Sequence, residues 1–247
     1  MTLLILYLAY ALVLNLALSR RDLAVRYALP GTPTPAVSNI LVLGATGGTG
    51  RALVLQALER HLVVTALVRN PAALAITHPR LRVVQGNVLD YQIVADAVRG
   101  QDAVVCVLGH KRFFYPTRIL SEGTRHILRA MNEAGVRRLV CQTSLGIGRS
   151  AGRMGLYYTL FVIPVILPFY FWDKTRQERA IADSGTAWTI VRPVALTHAV
   201  GRGSCRHGDH VGSLFWTLRV PRADVARFLL DQLSDDRYVG VAVGVSS

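Results

Sequence analysis

The sequence predicts an α/β fold built on a doubly wound parallel sheet, and three observations carry that expectation. From Asn39 onward, short apolar runs alternate with helical patterns, the order of repeated βαβ units. The first run, Ile40 to Leu43, leads into glycines at i, i+3 and i+6 (Gly44, Gly47, Gly50), and a helical pattern opens at Arg51. The length of 247 residues suits one such domain with a sizeable core and a small appendage. A strand, a glycine turn and a helix start are the parts of a dinucleotide-phosphate site, so the sheet is expected to be of Rossmann type.

Ahead of that domain, Thr2 to Leu18 is apolar apart from Thr2 and Asn15. At helical rise this run spans roughly 26 Å, just short of the ~30 Å hydrocarbon core. A membrane-anchoring helix is expected, with an interfacial helix or an upstream start outside the mature protein as alternatives. No basic segment precedes the run and no small-x-small site follows it, which argues against a cleaved signal peptide. Arg20, Arg21 and Arg26 follow it, so the positive-inside tendency places the folded domain in the cytoplasm. A soluble cytoplasmic protein is the alternative. Pro30 to Pro35 reads as a linker. Residues 1–38 are thus anchor and linker, and residues 39–247 are the Rossmann domain.

Within the domain, Gly44 permits a tight turn and Gly47 lets backbone N–H groups approach a pyrophosphate. Gly50 lets helix and strand pack closely, and the helix N-terminus offers free donors to the anion. The next strand, Leu62 to Val68, ends at Arg69. An NAD-preferring site places Asp or Glu near there, on the ribose 2′-hydroxyl. Arg69 instead suits a 2′-phosphate bidentately, which favours NADP(H) over NAD(H). Leu81 to Val84 is a third strand, and Asn87 after it is either an adenine contact or a turn residue. A helix over Tyr91 to Val98 and a strand over Ala103 to Leu108 follow. Gly109 then leaves room for a cofactor at the sheet crevice. Ser121 to Ala134 is an amphipathic helix capped by Gly135, and Arg138 to Thr143 is a strand leading into Ser144.

Met154 to Trp172 is a second apolar stretch without a charge, interrupted by Pro164 and Pro168. It reads as a buried or pocket-lining helical segment, with monotopic membrane contact or a true span as alternatives. A span would put the following strand on the wrong side of the membrane. The rest reads as a charged helix (Asp173 to Ser184), a strand (Thr186 to Arg192) stopped by Pro193, and a polar loop (Gly201 to Asp209). A helix (Arg222 to Leu233) and a closing strand (Val239 to Val245) complete it.

Composition narrows the function. The net charge is +13, and only two of the 28 basic residues are lysines, Lys111 and Lys174. A basic surface suits anionic cofactors, substrates or membrane faces. No basic run interleaves with aromatics, so nucleic-acid binding is not expected. Cys106 and Cys141 fall in apolar strands as inert thiols, and with Cys205 they form no disulfide framework. No metal site is expected.

The motifs G-A-T-G-G-T-G, T-A-L-V-R-N, G-N-V-L-D, D-A-V-V-C-V-L-G, S-E-G-T-R-H-I-L-R-A-M, C-Q-T-S, W-T-I-V-R-P and P-R-A-D-V-A-R-F-L-L occur in that order. Together, from about Asn39 to Val241, they resemble the atypical short-chain dehydrogenase/reductases with an NAD(P)H-binding, NmrA-like domain. They are most similar to the flavin reductase/biliverdin-IXβ reductase branch. That resemblance implies pyrophosphate contacts from Gly44, Thr46, Gly47, Gly48, Thr49 and Gly50, and a 2′-phosphate on Arg69. It places Asn87 and Val88 beside the adenine, with asparagine where the family has aspartate. It places Leu108 and Gly109 by the ribose and nicotinamide, and Thr143, Ser144 and Pro193 along the crevice.

Many short-chain reductases use a tyrosine proton donor with a lysine four residues on and a serine thirteen before. Tyr170 and Lys174 fit the first spacing, but Ser144 precedes Tyr170 by twice the usual gap. Tyr157 has the serine spacing but Phe161 in the lysine place. Tyr170 and Lys174 are therefore either catalytic with Ser144 or parts of a greasy helix end and a charged helix. The resemblance implies a reductase that sets NADPH against a small planar or carbonyl acceptor, such as a flavin, quinone-like molecule or tetrapyrrole. A non-catalytic redox sensor and a membrane-tethered assembly partner are the alternatives. Membrane contact is expected through residues 2–18, with residues 154–172 as a second contact if that stretch is monotopic.

Overall fold

The structure is a computed structural model that describes residues 2–19 and 36–247. The Pro30 to Pro35 linker and the arginines Arg20, Arg21 and Arg26 lie outside the described residues.

The sheet follows directly from the apolar runs. Strands β1 (Asn39–Leu43), β2 (Val63–Val68), β3 (Leu81–Gln85), β4 (Ala103–Cys106), β5 (Arg138–Gln142), β6 (Ala187–Pro193) and β10 (Val241–Ser246) pair in parallel. Strand β8 (Arg206–Gly208) adds an antiparallel edge, giving the order β3-β2-β1-β4-β5-β6-β10-β8. Strand order reverses between β1 and β4, the switch point where doubly wound sheets bind ligands. Two short strands, β7 (Ala195–Thr197) and β9 (Arg219–Pro221), form a separate parallel pair. Neither has a signal in the apolar pattern. Gly201 to Asp209, expected as loop, contributes β8, because three residues at a sheet edge need no apolar run.

Each strand turns alternate residues to opposite faces, and each face carries its own core. On one, Ile40, Val42, Val105, Val140 and Val243 pack with Leu53 and Ala57 of α2 (Gly48–Glu59) and Val225 and Leu229 of α6 (Arg222–Asp231). On the other, Leu41, Leu43, Val104, Leu139 and Ile190 meet α3 (Tyr91–Val98), α4 (Ile119–Ala134) and α5 (Pro168–Ala182). Burial on both faces explains why these strands are apolar throughout rather than alternating.

Two helices differ from the sequence expectation. The charged helix starts at Pro168, not Asp173, because proline's fixed φ suits the first helical position. Tyr170 therefore stands in its first turn. The second apolar stretch is a π-helix, Tyr158–Ile166, whose Val162, Ile163 and Pro164 are buried while Tyr157, Phe161 and Val165 are exposed. Helix α1 (Thr2–Ser19) has a mean hydropathy of 2.0. Among the described residues it is the one helix long and apolar enough to cross a bilayer. It lies along the π-helix, with Ala11 and Leu18 buried and most of its other side chains exposed.

Candidate functional site

The glycine turn is built as its spacing demands. Gly44 closes β1 at φ +91°, and a Cβ there falls 2.6 Å from the Val107 carbonyl oxygen. Gly50 is tighter, with a Cβ 2.1 Å from the Gly44 carbonyl oxygen. Gly47 is different. A Cβ there meets only the Gly44 oxygen, at 3.3 Å, so the space above it is open. Gly47 caps α2 in an extended conformation without any side-chain cap. The first helical bond runs from Arg51 N–H to the Gly47 carbonyl, at 2.8 Å. The N–H groups of Gly48, Thr49 and Gly50 precede that bond and have no acceptor among the described residues. They are a ready anion cradle.

A further residue at this turn is not evident from sequence. Arg222, the first residue of α6, lays its side chain over Gly48. A Cβ on Gly48 falls 2.6 Å from Arg222 Cδ and 2.8 Å from Nε. That Nε is buried and takes no hydrogen-bond partner among the described residues. An unpartnered buried guanidinium N–H beside three free backbone donors fits a pyrophosphate. Its only sequence signal is the family motif that contains it. The contact bridges α2 and α6, which Gln56 Nε2 also joins by donating to the Ala223 carbonyl at 2.9 Å.

The other cofactor candidates surround this cradle. Thr46, Gly47 and Gly48 are exposed on the turn, whereas Thr49 is buried. Arg69 is exposed at the end of β2, with no ion pair or hydrogen bond among the described residues. Arg51, in the first turn of α2, reaches toward the same loop and donates to the Ala73 carbonyl at 2.6 Å. Asn87 is exposed and its Oδ1 accepts from Leu89 N–H at 3.1 Å, the turn role among the two open to it from sequence. Val88 is buried, its methyls 2.7 to 2.8 Å from a Cβ placed on Gly123.

At the carboxyl ends of β4 and β5 the arrangement is more specific than sequence could say. Lys174 is 1% exposed and its ammonium donates to the Leu108 carbonyl (3.1 Å), the Gln142 carbonyl (3.1 Å) and Gln177 Oε1 (3.0 Å). All three donors are used, so Lys174 clamps the two strand ends together. Tyr170 stands one turn before it. The ring centroid is 5.8 Å from the ammonium, and the hydroxyl is 3.6 Å from a Cβ placed on Gly109. That hydroxyl has no partner among the described residues. His110 packs edge-on to Tyr170 at 5.0 Å, with its pKa lowered by burial. Its Nδ1 accepts from Arg112 N–H at 3.2 Å, which fixes a neutral tautomer whose Nε2–H faces Thr117 Oγ1 at 3.0 Å.

Thr143 and Ser144 divide the work at the end of β5. The Thr143 hydroxyl points inward and donates to Glu178 Oε1 at 2.6 Å. Glu178 in turn receives Arg192 Nε at 3.0 Å and Nη2 at 2.6 Å. Ser144 is half-buried and its hydroxyl is uncommitted among the described residues. Pro193 is buried, and its carbonyl accepts from Leu145 N–H at 3.0 Å. The structure thus gathers the glycine turn, Leu108, Gly109, Thr143, Ser144, Tyr170 and Pro193 around the carboxyl ends of β1, β4, β5 and β6. Cys106 and Cys141 are buried neighbours in the β4–β5 register, behind that surface. Among the described residues no group of three metal-ligating side chains converges.

Comparison with known proteins bears on the family and the fold. A family profile described as NAD(P)H-binding matches residues 44–236. An uncharacterized chloroplastic protein of Arabidopsis thaliana is 29% identical over 170 residues, covering 64% of this chain and 59% of its own length. A 3-diazoavenalumate denitrifying reductase of Streptomyces is 36% identical over 195 residues, covering 68% and 59%. The chain therefore spans about half to three-fifths of the length of such relatives. A short-chain dehydrogenase/reductase (wide type) of Veillonella parvula, solved with NADP, superposes with a TM-score of 0.70 at 18% identity. That match covers 86% of this chain and 95% of the other.

Proposed function

Because the chain belongs to the NAD(P)H-binding family matched over residues 44–236, we propose that it is an NADPH-dependent reductase. Its acceptor is a small planar or carbonyl compound, of flavin, quinone-like or tetrapyrrole type. The observation that carries this reading is the pairing of an uncapped glycine turn with two uncommitted hydroxyls, Ser144 and Tyr170, at the neighbouring strand ends. The relative named as a reductase and the neighbour solved with NADP support it.

In this reading the backbone of Gly44 to Gly50 and the Arg222 guanidinium hold the pyrophosphate. Arg69 holds the 2′-phosphate, and Asn87 and Val88 flank the adenine. Leu108, Gly109, Thr143 and Pro193 bound the nicotinamide side. NADPH, when bound, supplies the hydride. Tyr170 or Ser144 gives a proton to the acceptor, and the Lys174 clamp keeps the crevice edges at fixed separation. Because its three donors are already used, Lys174 is a positioning residue here rather than a hydrogen-bond donor to Tyr170 or the acceptor. That saturation also favours a second reading, a non-catalytic NAD(P)-binding redox sensor. The exposed apolar surface of α1 and the π-helix favours a third, a membrane-tethered assembly partner.

Oxidation of NADPH, followed spectrophotometrically with flavin, quinone and aldehyde panels, separates these readings. Turnover with at least one class is expected, and no acceptor above background would leave only the second and third. Tyr170→Phe should lower kcat by about 100-fold if the tyrosine is the donor. Full activity in Tyr170→Phe with loss in Ser144→Ala would move the role to the serine.

Two arginines give a sharper test of the cofactor. Arg69→Ala should raise the NADPH KM about tenfold and leave that for NADH nearly unchanged, as loss of one charge-assisted contact predicts. Arg222→Ala should weaken both cofactors alike, because the pyrophosphate is common to them. Equal effects of Arg69→Ala on both would refute the 2′-phosphate assignment.

A further inference from the structure

The two apolar helices are joined by a specific set of hydrogen bonds. Proline has no N–H, so in the π-helix Pro164 leaves the Thr159 carbonyl without its i+5 donor. Helix α1 supplies a donor to that carbonyl and to two others of the π-helix. Asn15 Nδ2 donates to Thr159 at 3.2 Å, Tyr10 hydroxyl to Pro164 at 3.1 Å, and Tyr7 hydroxyl to Leu160. These are the only polar side chains in α1 between Thr2 and Ser19. Every one donates to a main-chain carbonyl of the π-helix. Tyr7, Ala11, Leu14 and Leu18, spaced by four, three and four, make the seam, and small Ala11, fully buried, lets the helices approach closely.

Such bonds matter where water cannot solvate main-chain groups. The surface around them is largely apolar. Leu8, Leu12, Val13 and Leu16 of α1 and Phe161 and Val165 of the π-helix are all exposed. Leu214, Phe215 and Trp216 extend the same surface and are 60%, 68% and 75% exposed. Their loop is bound to the entry of the π-helix, where Leu156 N–H donates to the Phe215 carbonyl and Thr217 Oγ1 to the Met154 carbonyl. No charged residue occurs in 2–19 or in 154–172. A charge-free surface of exposed aliphatic and aromatic side chains suits a lipid-facing role.

We propose that α1, the π-helix and the Leu214 to Trp216 tip enter the lipid bilayer together as one inserted unit, with three carbonyls of the π-helix bound by side chains of α1. This goes beyond an N-terminal tether, because it puts a segment of the Rossmann domain itself into lipid. Its inner side is the crevice wall. Ile163 lies 3.3 Å from a Cβ placed on Gly146, two residues past Ser144, and the π-helix runs through Leu167 into the turn that bears Tyr170. Resting on the reductase reading, the unit opens the crevice to lipid, and the acceptor is lipid-soluble.

The test uses the full chain with vesicles of phosphatidylcholine, with or without dibromination of the acyl chains. Phe161→Trp places a reporter on the π-helix, and Val83→Trp, on the opposite part of the domain, is the control. The emission added by Phe161→Trp should fall about twofold or more in brominated vesicles, as for a side chain below the headgroups, and that of Val83→Trp should not. Adding Tyr7→Phe, Tyr10→Phe and Asn15→Leu should leave the chain floating with vesicles through α1 but abolish the quenching at position 161. An unquenched Phe161→Trp in a floating chain would show α1 acting alone and overturn the proposal. So would a chain that does not float but elutes as a dimer, with a second copy covering the face. Neither readout depends on turnover, so failure of the reductase reading is separately visible. In the turnover arm, the triple variant should lose activity with a vesicle-dissolved long-chain quinone and keep it with a water-soluble short-chain analogue. Equal loss of both would overturn the lipid route for the acceptor.

Discussion

Replacing Glu178 by alanine is expected to lower the unfolding free energy by about 3–5 kcal/mol. The Glu178 carboxylate is 1% exposed and the Arg192 side chain 4%. Three donors converge on it: the two guanidinium nitrogens of Arg192 and the Thr143 hydroxyl. The pair joins α5 to the ends of β5 and β6. Burying two charges is not in itself a gain, because desolvation offsets their attraction. The loss comes from breaking the pair, which strips a buried guanidinium of its carboxylate. Glu178→Gln keeps the volume and should still lose most of that energy. Glu178→Leu combined with Arg192→Met should recover a large part, as apolar replacements of buried pairs do. Urea unfolding with an unchanged m-value measures each step. A loss under about 1 kcal/mol for Glu178→Ala, typical of an exposed pair, would mean that the clamp does not hold this end of the sheet.

Gly50→Ala should lower NADPH affinity by about 100-fold, corresponding to the upper range of overpacking costs transmitted to the turn. The methyl would meet the Gly44 carbonyl oxygen at 2.1 Å and Ala45 Cα at 2.8 Å. Both are backbone atoms, so the turn itself must shift, and the free donors of α2 shift with it. Gly47→Ala provides the contrast. Its methyl meets one atom at 3.3 Å, so thermal stability should stay close to the parent's, while the methyl occupies the space in which a pyrophosphate would sit. Fluorescence titration with NADPH, alongside thermal melts, distinguishes the two. If Gly47→Ala bound NADPH as the parent does, the pyrophosphate would not lie over this turn.

The central strands β1 and β4 are legible in the sequence because they are buried on both faces, which produces an unbroken apolar run that ends at a turn residue. The helix Tyr91–Val98 and the Gly135 cap of α4 are legible from local pattern. What sequence conceals depends on distant partners. Arg222 lies far along the chain from the turn that it covers, and its local pattern only marks a helix start. Tyr170 and Lys174 show the right spacing, but whether the lysine is free depends on two carbonyls from other strands. Thr143 and Ser144 are adjacent and similar in sequence, yet one hydroxyl is spent on Glu178 and the other is not. The π-helix is ambiguous because proline in an apolar run fits a buried segment or a lipid-facing one, and the partner that caps its carbonyls lies about 150 residues earlier.

Strand β10 adds a consequence for how the domain assembles. It sits inside the sheet, pairing Val241 to Val245 with Thr189 to Pro193 on one side and holding β8 on the other. The β6 edge therefore stays open until the last strand has been made, long after β1 to β6 can pair. Such non-local closure is slow, and an open apolar edge invites pairing with another chain. During synthesis, the interval between β6 and β10 therefore leaves an apolar edge without its partner strand.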